Sequence, residues 1–160
     1  MPARPSSSGI VRLFPNKWAI DARHRLTHGG RLTVKAERIN APTAPQPVGG
    51  YSQAIEVREA RRLLFISGQV PESSDGHVPD DFRSQARLAW SNVKAQLEAA
   101  SMTIENLAKV TIFLSSRAYA GPNGEVRSEF LADHAPALTV IITGIFDEKW
   151  LLEIEAFAIA

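Results

Sequence analysis

Glu153 and Glu155 stand in LLEIEAFAIA, residues 151–160, where every other position is apolar. A buried charge without a partner is costly, so these carboxylates need partners, solvent or a chemical task. A carboxylate among apolar neighbours can act as a general base or hold a water for attack, and Glu153 is the expected catalytic group. Glu155 lies two residues further on the same strand face and reads as structural. Two such acids assist acid–base chemistry only where their proton affinities are driven apart.

Two other stretches put polar groups at strand ends: VGGYSQAI at 48–55 and LLFISGQVP at 63–71. Tyr51 follows Gly49 and Gly50 and is delivered from a pliable lead-in that suits the mouth of a cleft. Ser67 has no His at a motif spacing and no nucleophile elbow, so it reads as a hydrogen-bonding group rather than a covalent nucleophile. Asn123, between Pro122 and Gly124, sits in turn chemistry compatible with ligand binding. Arg117 follows a strand and reads as a solvated loop cation. His24 and His28 have the spacing of a helical metal pair, but no Cys or nearby carboxylate completes a shell, so no metal is expected. His77 and His134 fall in turns.

These residues need elements to position them. APTAPQPVGG, residues 41–50, carries three prolines and two glycines and cannot be a helix or a central strand. Residues 32–39 alternate weakly and read as a strand. Residues 52–58 and 63–67 read as a hairpin, with the polar turn at 59–62 and Gly68 as its stop. SSDGHVPDD at 73–81 is turn chemistry that ends in a helix cap. Phe82, Ala86, Ala89, Val93 and Leu97 then recur every three or four residues, which predicts a helix to about residue 100.

Residues 107–114 alternate as a strand, Gly121 to Gly124 reads as a break, and a second helix is expected over 125–132 with Val126 and Phe130 inward. Residues 137–143 and 151–159 read as two strands joined by a polar turn at 146–149. The order ββαβ then αββ implies an α+β fold, a single mixed six-stranded sheet with both helices on one face. Its other face keeps apolar side chains, so burial against further copies of the chain is expected.

With 160 residues, 44% of them hydrophobic, the chain is sized for one core-forming domain. The net charge of +1 conceals a split: residues 1–35 hold seven Lys or Arg against Asp21 alone, and the remaining 11 basic and 16 acidic groups leave a body of net −5. Such a body is a poor match for a phosphate backbone, so nucleic-acid binding is not expected. There is no Cys, which excludes disulfides and thiolate chemistry. No run reaches the roughly 18 apolar residues of a membrane span. Residues 1–33 read as a basic N-terminal extension outside the core domain at 34–160. Their Arg and Ser content resembles a transit peptide in composition, but an appended tag or a misassigned start, with Val34 as the true first residue, is the preferred account.

The motifs PQPVGGYSQAI, FISGQVP, QARLAWSNVKAQLEAASMTIENLAKVTIFL, NGEVRSEF, HAPALTV and EIEAFAIA, in this order over residues 38–160, resemble the Rid family. These are the reactive intermediate deaminases, also called the YjgF family and often labelled endoribonuclease L-PSP. The resemblance implies a chorismate-mutase-like α+β subunit, a homotrimer, and clefts between subunits that hold a small molecule without metal or cofactor. It implies hydrolysis of enamines and imines to 2-keto acids and ammonia, with a Glu in the last strand positioning water. Carried onto this chain, the tyrosine of the first motif is Tyr51, the serine and glycine of SGQ are Ser67 and Gly68, the asparagine is Asn123 and the glutamate is Glu153.

The family's carboxylate-gripping Arg falls on Leu138. A guanidinium holds a carboxylate through two charge-assisted bonds, each worth on the order of 1.5 to 3 kcal/mol, and leucine supplies neither. A neutral or differently anchored ligand is therefore expected over Leu138 as an apolar floor. Three readings follow: an imine or enamine hydrolase with an altered site, a non-catalytic metabolite-binding or regulatory trimer, and, ranked last, an endoribonuclease or translation inhibitor. A cytoplasmic location is expected, or a mitochondrial one if the extension is a transit peptide.

Overall fold

The computed structural model describes residues 35–160. The basic extension, with His24 and His28, lies outside the described residues. Six strands and two helices follow in the order β1 (Lys35–Ile39), β2 (Ala54–Arg58), β3 (Leu63–Gln69), α1 (Phe82–Ala99), β4 (Leu107–Leu114), α2 (Ala120–Leu131), β5 (Ala137–Ile142) and β6 (Leu152–Ile159). The architecture is α+β with a mixed sheet and two helices.

The strands form two ladders rather than one continuous sheet. β1 and β2 pair antiparallel, and the other four take the order β3-β6-β4-β5, in which only β4 and β5 run parallel. A single bridge from Ser52 to Ala137 ties the two ladders. The expected β2–β3 hairpin is therefore not formed. Glu59 takes φ 60, and the amides of Arg61 and Arg62 both donate to the Ala160 carbonyl at 2.8 Å. The turn thus carries the chain from one ladder to the edge of the other, where β6 is the partner of β3.

The helix α1 begins at Asp81, whose side chain accepts from the Ser84 amide at 3.0 Å, satisfying one of the donors a helix start leaves open. Its buried stripe is Phe82, Ala86, Ala89, Trp90, Val93 and Leu97, joined by Gln85. Gln85 is a staple. It donates to the Pro79 and Lys149 carbonyls at 2.8 and 2.9 Å and accepts from the Leu151 amide at 2.8 Å, which pins the β5–β6 connection to the helix with every polar atom satisfied.

α2 starts at Ala120, five residues before the expected point. Gly121 and Pro122 occupy the first turn, where a missing amide hydrogen costs nothing and the fixed proline φ suits the helix. One core cluster contains Val93 and Leu97 of α1, Val126 and Leu131 of α2, Val110, Ile112 and Leu114 of β4, and Leu152, Ile154 and Ala156 of β6. Both helices therefore cover the same sheet face. Side chains alternate across a strand, so the opposite face carries Leu63, Phe65, Thr111, Phe113, Glu153, Glu155, Phe157, Thr139 and Ile141. Leu63 and Phe65 are more than half exposed there.

Candidate functional site

Glu153 is placed by two neighbouring strands. It pairs with Phe113 of β4, and on the β3 side the register shifts between Ile66 and Gln69. This bulge sets Ser67 and Gly68 opposite Glu155 alone, re-aiming the strand as bulges do. Gly68 leaves a hollow, and the Glu153 side chain fills it: a methyl group at position 68 would fall within 2.9 Å of Glu153 Cγ and inside contact distance of the carboxylate. Only a glycine permits this approach. Glu153 is half-buried, and Ser67 beside it is exposed with a hydroxyl that has no partner among the described residues.

Glu155 shares the face, opposite Thr111. Lys109 lies near it: burial pushes the Lys109 ammonium down from its ordinary value, and the Glu155 charge opposes that shift. Lys109 also donates to Thr139 Oγ1. Glu155 thus has a cation in its surroundings, in keeping with a structural role, whereas no ion pair of Glu153 occurs among the described residues.

Tyr51 belongs to a second group. Ser52 donates from its amide to the Pro136 carbonyl at 3.0 Å and from its hydroxyl to the Ala135 carbonyl at 2.7 Å, locking the 40–53 loop against the start of β5. Gly49 and Gly50 take φ 91 and 71, left-handed values open to glycine, and turn the Gly49 carbonyl toward α2. There Arg127 donates to it at 2.6 Å. Asn123 precedes Arg127 by one helical turn and is 2% exposed, with no hydrogen-bond partner for its Oδ1. It sits inside α2 rather than in a turn.

Leu138 pairs with Val110 and packs against the helix-side core. Val110 in turn pairs with Ala156, so Leu138 is two strands away from Glu153, three residues displaced along β6 and on the opposite face. Within one protomer the candidates therefore fall into two groups: Glu153, Ser67 and Gly68 beside β3, and Tyr51, Asn123 and Leu138 around β5 and α2. Arg127 was missed from the sequence. It follows Glu125 on a helix of mostly polar composition, which reads as a solvated face. Arg117 is exposed.

Among the described residues no group of three or more His, Asp or Glu side chains is arranged to hold a metal ion, and no helix is long and apolar enough to cross a membrane. The Endoribonuclease L-PSP family matches residues 41–160. A RutC family protein of Pyrococcus horikoshii is 36% identical over 124 residues, covering 76% of this chain and 96% of that protein. A protein of Dermatophagoides farinae named 2-iminobutanoate/2-iminopropanoate deaminase is 29% identical over 76% of this chain and 94% of its own length. The crystal structure of Escherichia coli TdcF with bound serine superposes with TM-score 0.58 at 30% identity, covering 78% of this chain and 98% of that one. The order of motifs, the fold and these likenesses agree: the chain belongs to the endoribonuclease L-PSP family, the group also called Rid.

Proposed function

We propose that the chain is a cofactor-independent hydrolase of small imines and enamines, working as a homotrimer with its sites between subunits. The observation that carries this reading is the Glu153 carboxylate held in the hollow over Gly68, on a sheet face left open by the protomer. The deaminase name of a relative that covers three quarters of the chain supports the reaction class. The separation of the two residue groups within a protomer supports the assembly, since a neighbour's β5 edge would bring its Tyr51 to a Glu153 that its own subunit leaves alone.

In this reaction an enamine first takes a proton on carbon to become the iminium. Glu153 removes a proton from water as the oxygen bonds to the iminium carbon, giving a carbinolamine. The proton passes to nitrogen, the C–N bond breaks, ammonia leaves and the carbonyl forms. Ser67 and the Gly68 amide fix polar atoms of the substrate, and Tyr51 closes the mouth. A positioned base of this kind contributes about 10²- to 10⁴-fold to the rate.

Ammonia release from freshly generated 2-aminoacrylate tests this directly. Wild type should exceed background, and Glu153→Gln should lose most of the rate while keeping its assembly. Equal, high rates in both would remove Glu153 from the mechanism. A second reading, a non-catalytic metabolite-binding trimer, is favoured by the packing of Leu138 into the core where the family resemblance calls for an Arg. Background rates in wild type, with ligand binding intact, would select it.

A further inference from the structure

Among the described residues Arg127 is the one buried cation. Arg58, Arg83 and Arg87, all well exposed, each meet a glutamate: Glu56, Glu125 and Glu129. Arg127 is only 9% exposed, yet among the described residues no carboxylate pairs with it. A guanidinium stays charged in proteins and carries five donors, of which the Gly49 carbonyl takes one. No other Arg127 nitrogen is both sealed from solvent and unsatisfied, so its remaining donors reach the protomer's surface. Taking a cation out of water without an anion is unfavourable, and burial indeed pushes the Arg127 pKa down.

The surroundings are those of a binding place rather than a staple alone. Asn123 and Arg127 are four residues apart and share a face of α2, and the Asn123 amide oxygen is buried without a donor. The Gly49–Gly50 turn that supplies the carbonyl also delivers Tyr51. A guest with an acid group answers the spare guanidinium donors, while the Asn123 oxygen lies sealed behind them. Position 138 cannot serve this purpose, since Leu138 faces the core.

We infer that Arg127, flanked by Tyr51 and Asn123, is a carboxylate-binding subsite on α2 that selects small carboxylate-bearing substrates. The inference rests on the hydrolase reading for its substrate class but not for its existence, because an anion site is measurable by binding alone.

Calorimetric titration with 2-oxobutanoate, a 2-keto acid of the product class, and with its neutral counterpart butan-2-one is the test, on full-length wild type, Arg127→Gln, Arg127→Lys and Glu153→Gln. Wild type should bind the acid in preference to the ketone. Arg127→Gln should weaken the acid by about tenfold to a hundredfold, the worth of one charge-assisted contact, without changing the ketone. Arg127→Lys should recover part of the loss, and Glu153→Gln, which removes a negative charge rather than an anchor, should bind the acid at least as tightly as wild type. In turnover, Arg127→Gln should raise KM more than it lowers kcat.

Unchanged acid binding in Arg127→Gln, a wild type that binds neither probe, or one that prefers the ketone would overturn the inference. So would an Arg127→Gln protein whose melting temperature or assembly changes while its acid preference does not, which would make Arg127 a loop staple or the partner of a neighbouring subunit's acid. Failure of Glu153→Gln to lose activity would sink the hydrolase reading and leave this subsite standing. Failure of Arg127→Gln to lose acid binding would do the reverse.

Discussion

The two faces of the four-stranded sheet differ in what they leave unfinished. Toward the helices, β4 and β6 present Val110, Ile112, Leu114, Leu152, Ile154 and Ala156, all fully buried, and α1 answers them with a complete stripe. Away from the helices, the same strands present Thr111, Phe113, Glu153, Glu155 and Phe157, and the edge-to-face pair Phe65–Phe157, 5.2 Å between ring centroids, lies next to water. One face closes the fold by itself. The other mixes aromatic surface with acids, a composition that suits partners and chemistry better than folding.

Changes to the open face should therefore alter assembly and turnover, and changes to the covered face should alter stability. The largest effect is expected from Phe65→Lys, which sets a charge in the exposed aromatic pair. Sedimentation should show the proposed trimer giving way to monomer, with turnover lost and the circular dichroism of the subunit kept. A trimer that survived this change would place the interface elsewhere.

Gly68→Ala should come next. The added methyl must evict the Glu153 carboxylate, and because that side chain is flexible the fold should tolerate it. A fall in turnover of about 10²-fold or more, comparable to loss of the base, with a melting temperature near that of wild type is the expected pair of results.

On the covered face, Leu97→Ala should cost about 2 to 5 kcal/mol in denaturant unfolding, the range for emptying a packed core position, while the folded fraction keeps its assembly. A gentler probe of this side is acid. The Asp81 carboxyl is held low by hydrogen bonds from Ser84, and Glu129 is held low by its hydrogen bond and charge pairing with Arg87. A carboxyl whose folded pKa is depressed lends stability above its unfolded value, about 4, and loses it as the pH falls through the folded value. Urea midpoints should thus hold steady down to about pH 5 and decline below it. Asp81→Ala should flatten part of that decline.

The sequence carried the covered face well. Three- and four-residue spacing located α1 and its stripe, alternation located β4, and a short apolar run located β6. The start of α2 was lost because Gly121 and Pro122 read as breakers anywhere except in a first turn. The β2–β3 hairpin was wrong for a different reason. A short polar link between two strands is compatible with pairing, yet β3 gains a central partner in β6, and β2 finds β1 across the proline-rich 40–53 loop.

The site was legible only in part. Glu153 stood out because a charge in an apolar run has few explanations; Gly68 was read as the stop of its strand, whereas β3 runs through it to Gln69. That these two residues touch depends on a bulge register that no local pattern announces. Arg127 was invisible, since its burial is conferred by a loop nearly eighty residues earlier in the chain.

Ser52 gives the molecule a mechanical linkage. Its two bonds clamp the lead-in loop to the peptide units immediately ahead of β5, so the backbone that carries the preceding Tyr51 travels with that strand. Any sideways slip of the sheet edge is thereby relayed to Tyr51.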